Sequence, residues 1–291
     1  MSQKSSRFFV EIVCFYLIIG LAGWFTYRSL DSDSQLIRFF IADLVMTLAA
    51  YGLSLYKRNS SVYDPYWTVI PFYFLVMWWL LYRDTWSSAH YIAALVISFW
   101  SWRLTHNWYR GFPGWQHEDW RYVNFRKQFG RYFEWINFSG IHVFPTLMVF
   151  FGMSGLFWFY NGQPVTTNGL FWLGCGLALT GTFLEFFADN TLHKARKDPS
   201  WIKGICIREG LWKYSRNPNY LGEMLFWIGL ALVGQSAGAP IWTLSGAIGM
   251  ILMFVFASIP MKEKRLMESR SDFASYKADV SVLIPWKLSS K

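Results

Sequence analysis

Apolar residues run in long stretches along this chain, at about 8–27, 36–56, 67–82, 88–105, 141–160, 168–188, 219–236 and 240–260. A helix needs roughly 20 such residues to cross the hydrocarbon core of a bilayer. The segments between the runs alternate in charge. The N-terminus, 57–66, 106–138, 189–218 and the tail after 260 hold most of the Lys and Arg, whereas 28–35, 83–87, 161–167 and 237–239 hold few or none. Cationic loops stay on the cytoplasmic side, so the pattern predicts eight helices with both termini in the cytoplasm. The third run is short enough to be tilted or partly re-entrant. The stretch 111–128 is too aromatic for a free loop and is expected to lie along the membrane interface.

Composition agrees with this reading. Of 291 residues, 54% are hydrophobic and 21% aromatic, and only 15% are charged. A soluble domain of this length carries more charge and fewer large aromatics. The fold class is therefore an all-α, polytopic transmembrane bundle of seven to eight membrane helices. The net charge of +9 fits cytoplasmic loops facing anionic lipid or an anionic cofactor better than it fits nucleic acid, because the basic residues sit between apolar runs. Cys14, Cys175 and Cys206 are far apart and make neither a disulfide framework nor a metal site. The first apolar run follows a short polar start with no small-residue cleavage site, so it is taken as a membrane helix rather than a removed signal.

The stretch 210–223, GLWKYSRNPNYLGE, is the densest chemistry in the chain. It carries Lys213, Tyr214, Arg216, Asn219 and Tyr220, with Arg208 just upstream and Glu223 inside the next apolar run. Pro218 suits a helical first turn and Asn217 is the expected N-cap. A helix start offers free N–H groups and a positive dipole end for a phosphate or carboxylate. An acid one turn inside a membrane is costly, which makes Glu223 a functional candidate. Glu185 and Asp189 lie one turn apart at the end of the sixth run, followed by His193, Lys194, Arg196 and Lys197. The same charges also fit an ordinary helix emerging from a membrane.

Three further groups stand out. Asp64 precedes Pro65 and is flanked by Tyr63, Tyr66 and Trp67. An aromatic, apolar setting raises a carboxyl's pKa and makes it a proton donor, while the alternative is a helix cap. Arg103, Arg110 and Arg121 are candidate phosphate ligands, and His106 and Tyr109 candidate acids. The tail, from Lys262 through Phe273, Tyr276 and 284–286, alternates charge and aromatic as an amphipathic surface helix does. No P-loop, GxSxG or HExxH is present, and the Gly174–Gly181 region lacks dinucleotide-fingerprint spacing; glycines there suit helix packing.

At GLWKYSRNPNYLGE, with Phe273, Tyr276 and Ile284-Pro285 downstream, the chain resembles the steroid 5-alpha-reductase superfamily, and most of all its bacterial branch of uncharacterised membrane proteins. The resemblance covers about 36–291 as one membrane catalytic domain and leaves 1–35 as an additional transmembrane helix and turn. Isoprenylcysteine carboxyl methyltransferases and sterol C14 and C7 reductases share a similar RxPxYxG arrangement. The resemblance thus implies either NADPH and a reductase or S-adenosylmethionine and a methyltransferase. For the reductase it places Asn219 and Glu223 at nicotinamide- and substrate-facing positions, Asp189 and Arg196 at cofactor-holding ones, and Arg110 at a phosphate. Asp64 falls where the steroid enzymes carry a catalytic Glu, and their catalytic Tyr aligns with Asn107, two positions before Tyr109.

The expected protein is an NADPH-dependent reductase of a polarised C=C bond in a lipophilic, steroid-like substrate. Its catalytic residues would be Asp64, Tyr66, Tyr109 and Glu223. Its cofactor-binding residues would be Arg110, Arg121, Glu185, Asp189, Arg196, Arg208, Tyr214, Arg216, Asn219, Tyr220 and Tyr276. Two rivals are an S-adenosylmethionine-dependent methyltransferase and a non-catalytic lipid-binding protein. Membrane lipids and a lipophilic small molecule are the expected partners, nucleic acid is not, and a bacterial inner membrane is the expected location.

Overall fold

A computed structural model describes residues 6–202 and 204–285. Among these residues thirteen α-helices account for most of the chain, with short 3-10 and π segments between them and no strand beyond a single bridge. Five helical stretches are long and apolar enough to cross a membrane: Phe8–Ser29, Gln35–Lys57, Trp120–Met153, Gly169–Lys197 and Ile241–Ser269. The protein is an integral membrane protein built as a polytopic helical bundle. The chain divides into two compact units, Met1–Thr166 and Thr167–Lys291.

The first unit holds α1 (Ser6–Ser29), α2 (Gln35–Lys57), α3 (Tyr66–Tyr82), α4 (Ser88–Gly111), α5 (Trp120–Phe129), α6 (Phe133–Ile136), α7 (Phe144–Met153) and α8 (Leu156–Phe159). The expected run 67–82 forms α3, only 17 residues long. The run 88–105 forms α4, whose last turns carry Arg103, His106 and Arg110 and so are less apolar. The expected fifth run begins earlier than its hydropathy suggests, because α5, α6 and a π-helical stretch Asn137–Val143 continue into α7. Aromatic side chains fill this unit's core. Phe39 packs against Phe74, Trp78 and Phe157, with ring centroids 5.0–5.3 Å apart, in the edge-on and offset arrangements aromatic pairs prefer.

The second unit holds α9 (Gly169–Lys197), α10 (Pro218–Ser236), α11 (Ser245–Met253), α12 (Ile259–Ser269) and α13 (Phe273–Asp279). Small residues set the α9–α10 crossing. A Cβ at Gly174 would sit 2.7 Å from the Gly229 carbonyl oxygen, and one at Gly181 would collide with the Gly222 carbonyl. In lipid, helices associate through close packing of this kind rather than through expulsion of water. Of the glycines expected to serve packing, Gly174 and Gly181 do so, whereas Gly176 faces open space.

Candidate functional site

Within the first unit, the polar chemistry gathers where the loop 58–65 meets the 112–122 segment. The left-handed Arg58 closes α2 by donating its backbone N–H to Leu55 and Ser54. Asn59 then donates from Nδ2 to the carbonyls of Trp115 and His117, both at 2.9 Å. The Ser60 N–H donates to Glu118 Oε1 at 2.9 Å, and the Asp119 N–H donates to Ser61 Oγ at 2.8 Å. These bonds fasten two remote loops into one surface. The aromatic stretch 111–128 is thus a bonded loop that ends in α5, with Phe112 and Tyr122 buried.

Asp64 stands at the centre of that surface. Tyr122 Oη donates to Asp64 Oδ1 at 2.5 Å, and Arg121 Nη2 donates to the same oxygen at 3.3 Å. Arg121 is itself held by Asp119, Nε to Oδ1, at 2.8 Å. The Asp64 side chain is 14% exposed. Burial pushes its pKa up to about 6; the Arg121 guanidinium and the Tyr122 hydroxyl pull it back, while Asp119 raises it further. Asp64 does not cap a helix, since α3 starts at Tyr66 behind Pro65. Of the two sequence readings of Asp64, the helix cap is the one the geometry does not form.

The other candidates in this unit have distinct settings. The Tyr66 hydroxyl is buried and donates to Asp43 Oδ1 at 3.0 Å. It thus belongs to a buried polar string running from Asp43 through Thr47 and Thr146 to Tyr63, with links of 2.7–3.0 Å. Tyr109 packs its ring on Phe8 and Phe9 of α1, 6.5 and 5.6 Å between centroids. Arg110 donates to Asn107 Oδ1 at 2.9 Å, one turn back on α4. Arg103 is buried, and His106 is exposed and stacked on Trp102.

The second unit organises the GLWKYSRNPNYLGE stretch around its own tail. Arg216 is buried and donates from Nε to Glu263 Oε1 at 2.8 Å and from Nη1 to the carbonyls of Lys277 and Val280. Its backbone N–H donates to the Ser281 carbonyl at 2.9 Å, beside a parallel bridge between Ser215 and Ser281. Asn217 is the N-cap of α10 and Pro218 opens its first turn, as expected, but the Asn217 side chain makes no capping hydrogen bond. Its amide is spent elsewhere: Nδ2 donates to the Val282 carbonyl at 3.0 Å, and Oδ1 accepts from Lys262 Nζ at 2.9 Å. Tyr276 is buried and donates to the Trp212 carbonyl at 2.6 Å, while Trp212 Nε1 donates to the Ala188 carbonyl on α9 at 2.9 Å. Arg208 is held by Asp279 at 2.9 Å and by Asp272 at 3.8 Å, with its guanidinium over the Tyr276 ring.

These contacts leave Arg216, Arg208 and Tyr276 as struts of the motif. The tail is not a helix lying free on the membrane; α12 and α13 brace the loop. Trp286 lies outside the described residues.

Cations cluster around that brace. Lys262 sits over the rings of Trp212 and Tyr220, 4.8 and 4.9 Å from their centroids. It lies within electrostatic reach of Asp189, Glu263 and Arg196, and Arg196 in turn within reach of Asp189, Arg265 and Arg270. The structure thus brings together Asp189, Arg196, Asn217 and Tyr220 near the start of α10. Glu185 and Glu223 are both buried where α9 crosses α10; a Cβ on Gly222 would sit 2.5 Å from Glu185 Cγ. Asn219 is half-buried and Tyr214 exposed.

Sequence reasoning missed Asp43, Tyr122 and Lys262. An acid inside the second apolar run was the available signal for Asp43. Tyr122 and Lys262 gave none, since a tyrosine at an interface and a lysine in a basic tail are ordinary.

Residues 50–280 match the sequence model of a family described as protein of unknown function, DUF1295. An uncharacterized protein of Schizosaccharomyces pombe is 26% identical over 81% of this chain and 75% of its own length. The 3-oxo-5-alpha-steroid 4-dehydrogenase 1 of Homo sapiens is 32% identical over 41% of this chain and 43% of its own. The methanethiol S-methyltransferase of Pseudomonas deceptionensis is 29% identical over 43% of this chain and 46% of its own. The chain thus spans under half the length of these two enzymes. No solved structure matches.

Proposed function

The chain belongs to the DUF1295 family, and from that premise we propose that it is a membrane-embedded, NADPH-dependent reductase of a polarised C=C bond in a lipophilic substrate. The observation that carries the reading is the buried Asp64 carboxyl held by Tyr122 and Arg121, where burial pushes its pKa up to about 6. Similarity to a 3-oxo-5-alpha-steroid 4-dehydrogenase supports an enone-type substrate.

Two roles are assigned, one in each unit. In the first, Asp64 in its protonated form can donate a hydrogen bond to a carbonyl oxygen and stabilise negative charge growing on it. Tyr122 and Arg121 fix the carboxyl's rotamer. In the second, the cations about the start of α10 fit a group carrying phosphates. Arg196 and Lys262 would hold phosphate oxygens, Asp189 would orient the arginine, and Asn219 and Glu223 would contribute polar groups to the same cofactor. Bound NADPH would supply the hydride. Arg110 is assigned a phosphate contact; Tyr66 and Tyr109 are assigned supporting positions around the acid. Arg208, Arg216 and Tyr276 hold the motif in shape, and Glu185 backs the α10 start. A cytoplasmic location for both termini follows the loop charges.

A methyltransferase using S-adenosylmethionine is the second reading, favoured by the similarity to methanethiol S-methyltransferase. Titrating the purified protein in mild detergent with NADPH, NADH and S-adenosylmethionine separates the two. The reductase reading expects NADPH binding that weakens by about 1–3 kcal/mol in Arg196→Ala. Binding of S-adenosylmethionine alone would end it.

A further inference from the structure

The family match begins at residue 50, after the whole of α1, yet α1 touches both halves of the surface that carries Asp64. Tyr16 Oη donates to the Val62 carbonyl at 2.7 Å, two residues from Asp64 and in the same buried turn. Tyr73 of α3 donates to the Tyr16 carbonyl, and the Gly20 position lies flat on the Tyr73 ring. One helical turn earlier, Glu11 Oε2 accepts from Trp115 Nε1 at 3.0 Å and from Lys57 Nζ at 3.4 Å. Phe8 then packs on Trp115 and Phe112, with centroids 5.1 and 5.8 Å away. The helix therefore grips the 58–65 loop from one side and the 112–117 loop from the other. Those are the two loops that Asn59, Ser60 and Ser61 tie together.

We propose that α1 is the clamp that positions Asp64, with Tyr16 and Glu11 as its positioning residues, rather than a membrane anchor appended to a finished catalytic unit. Tyr16 fixes the backbone from which Asp64 projects. Glu11 fixes the loop leading to Asp119, Arg121 and Tyr122, which are the charged and hydroxyl groups that face the carboxyl from α5 and its cap. Tyr16 is the titratable group facing it from α1, within electrostatic reach, and Ser61 faces it from its own turn. A loosened clamp lets water reach the carboxyl, so its affinity for a proton falls back toward that of an ordinary aspartate.

The inference rests on the reading of Asp64 as the acid only for its kinetic consequence. Its structural half is tested separately, by amide hydrogen exchange on the full-length chain in detergent. Losing one hydrogen bond of ordinary strength multiplies local opening by about fivefold. Tyr16→Phe should therefore speed exchange of peptides covering 59–64 by about that factor, and Glu11→Leu, which removes the acceptor for Trp115, should do the same over 112–122. Peptides from α9 and α10 should not change. In the reductase assay, activity needs the protonated carboxyl, so the alkaline limb of the pH profile should move to lower pH in Tyr16→Phe, with KM for NADPH unaltered. Unchanged exchange at 59–64 and 112–122 in both variants overturns the inference. The exchange data decide it whether or not the protein reduces an enone, so a silent reductase assay counts against the functional reading alone.

Discussion

Replacing Asp64 by Asn should change how stability depends on pH, by an amount the structure sets. In the folded protein burial holds this carboxyl at about 6, against 3.8 for a free aspartate. The folded state thus binds the proton more tightly than the unfolded chain. Between those two values the native state carries more protons, so stability falls as pH rises through the window and levels off above it. A difference of about two pH units at about 1.4 kcal/mol each gives roughly 3 kcal/mol lost between pH 4 and pH 7. Asparagine keeps the shape and still accepts the Tyr122 hydroxyl, but it has no proton to lose. Thermal unfolding in detergent, followed by tryptophan fluorescence across pH 4–7, should show the wild-type melting temperature dropping relative to Asp64→Asn, by on the order of 5 °C. If the two proteins track each other across that range, Asp64 does not titrate near 6 and loses its claim to be the acid.

Other consequences concern the second unit. Gly181→Leu would drive a side chain into the Gly222 carbonyl, and should lower stability by at least about 1–3 kcal/mol, read as a fall in melting temperature; no change would mean the helices do not cross there. Arg216→Lys keeps a charge but cannot span Glu263 and two carbonyls at once. The carbonyls left unsatisfied should cost about 1–3 kcal/mol and expose the tail to limited proteolysis, and an intact tail would show the bridge to be dispensable. Burial and the neighbouring Asp272 push the Cys206 thiol up to about 12. It should react slowly with iodoacetamide at pH 8 and faster in Asp272→Asn, and equal rates would contradict the role given to Asp272.

The membrane fold was legible because bilayer crossing imposes length and hydropathy on each helix, and the glycine-lined crossing of α9 and α10 announced itself through Gly174 and Gly181. Asp64 was legible through its aromatic neighbours. Its partners were not: Tyr122 lies 58 residues away, and nothing local marks which of several interfacial tyrosines will reach an acid. The position of Asn217 as N-cap was legible, but the use of its side chain was not. Local rules expect an Asn before Pro to cap its own helix, but Lys262 and Val282 are stronger claimants once the tail folds back. Hydropathy also hid Asp43, which reads as one exception within an apolar run, and with it the partner of the Tyr66 hydroxyl.

The dependence of residues 215–217 on residues 276–282 has a bearing on biogenesis. Synthesis runs from the N-terminus, so the central loop emerges long before the segment that completes it. Until residues 277–282 are made, Arg216 and Asn217 lack the carbonyls that receive their hydrogen bonds. A nascent chain that stops short of residue 277 therefore leaves this basic loop without its brace.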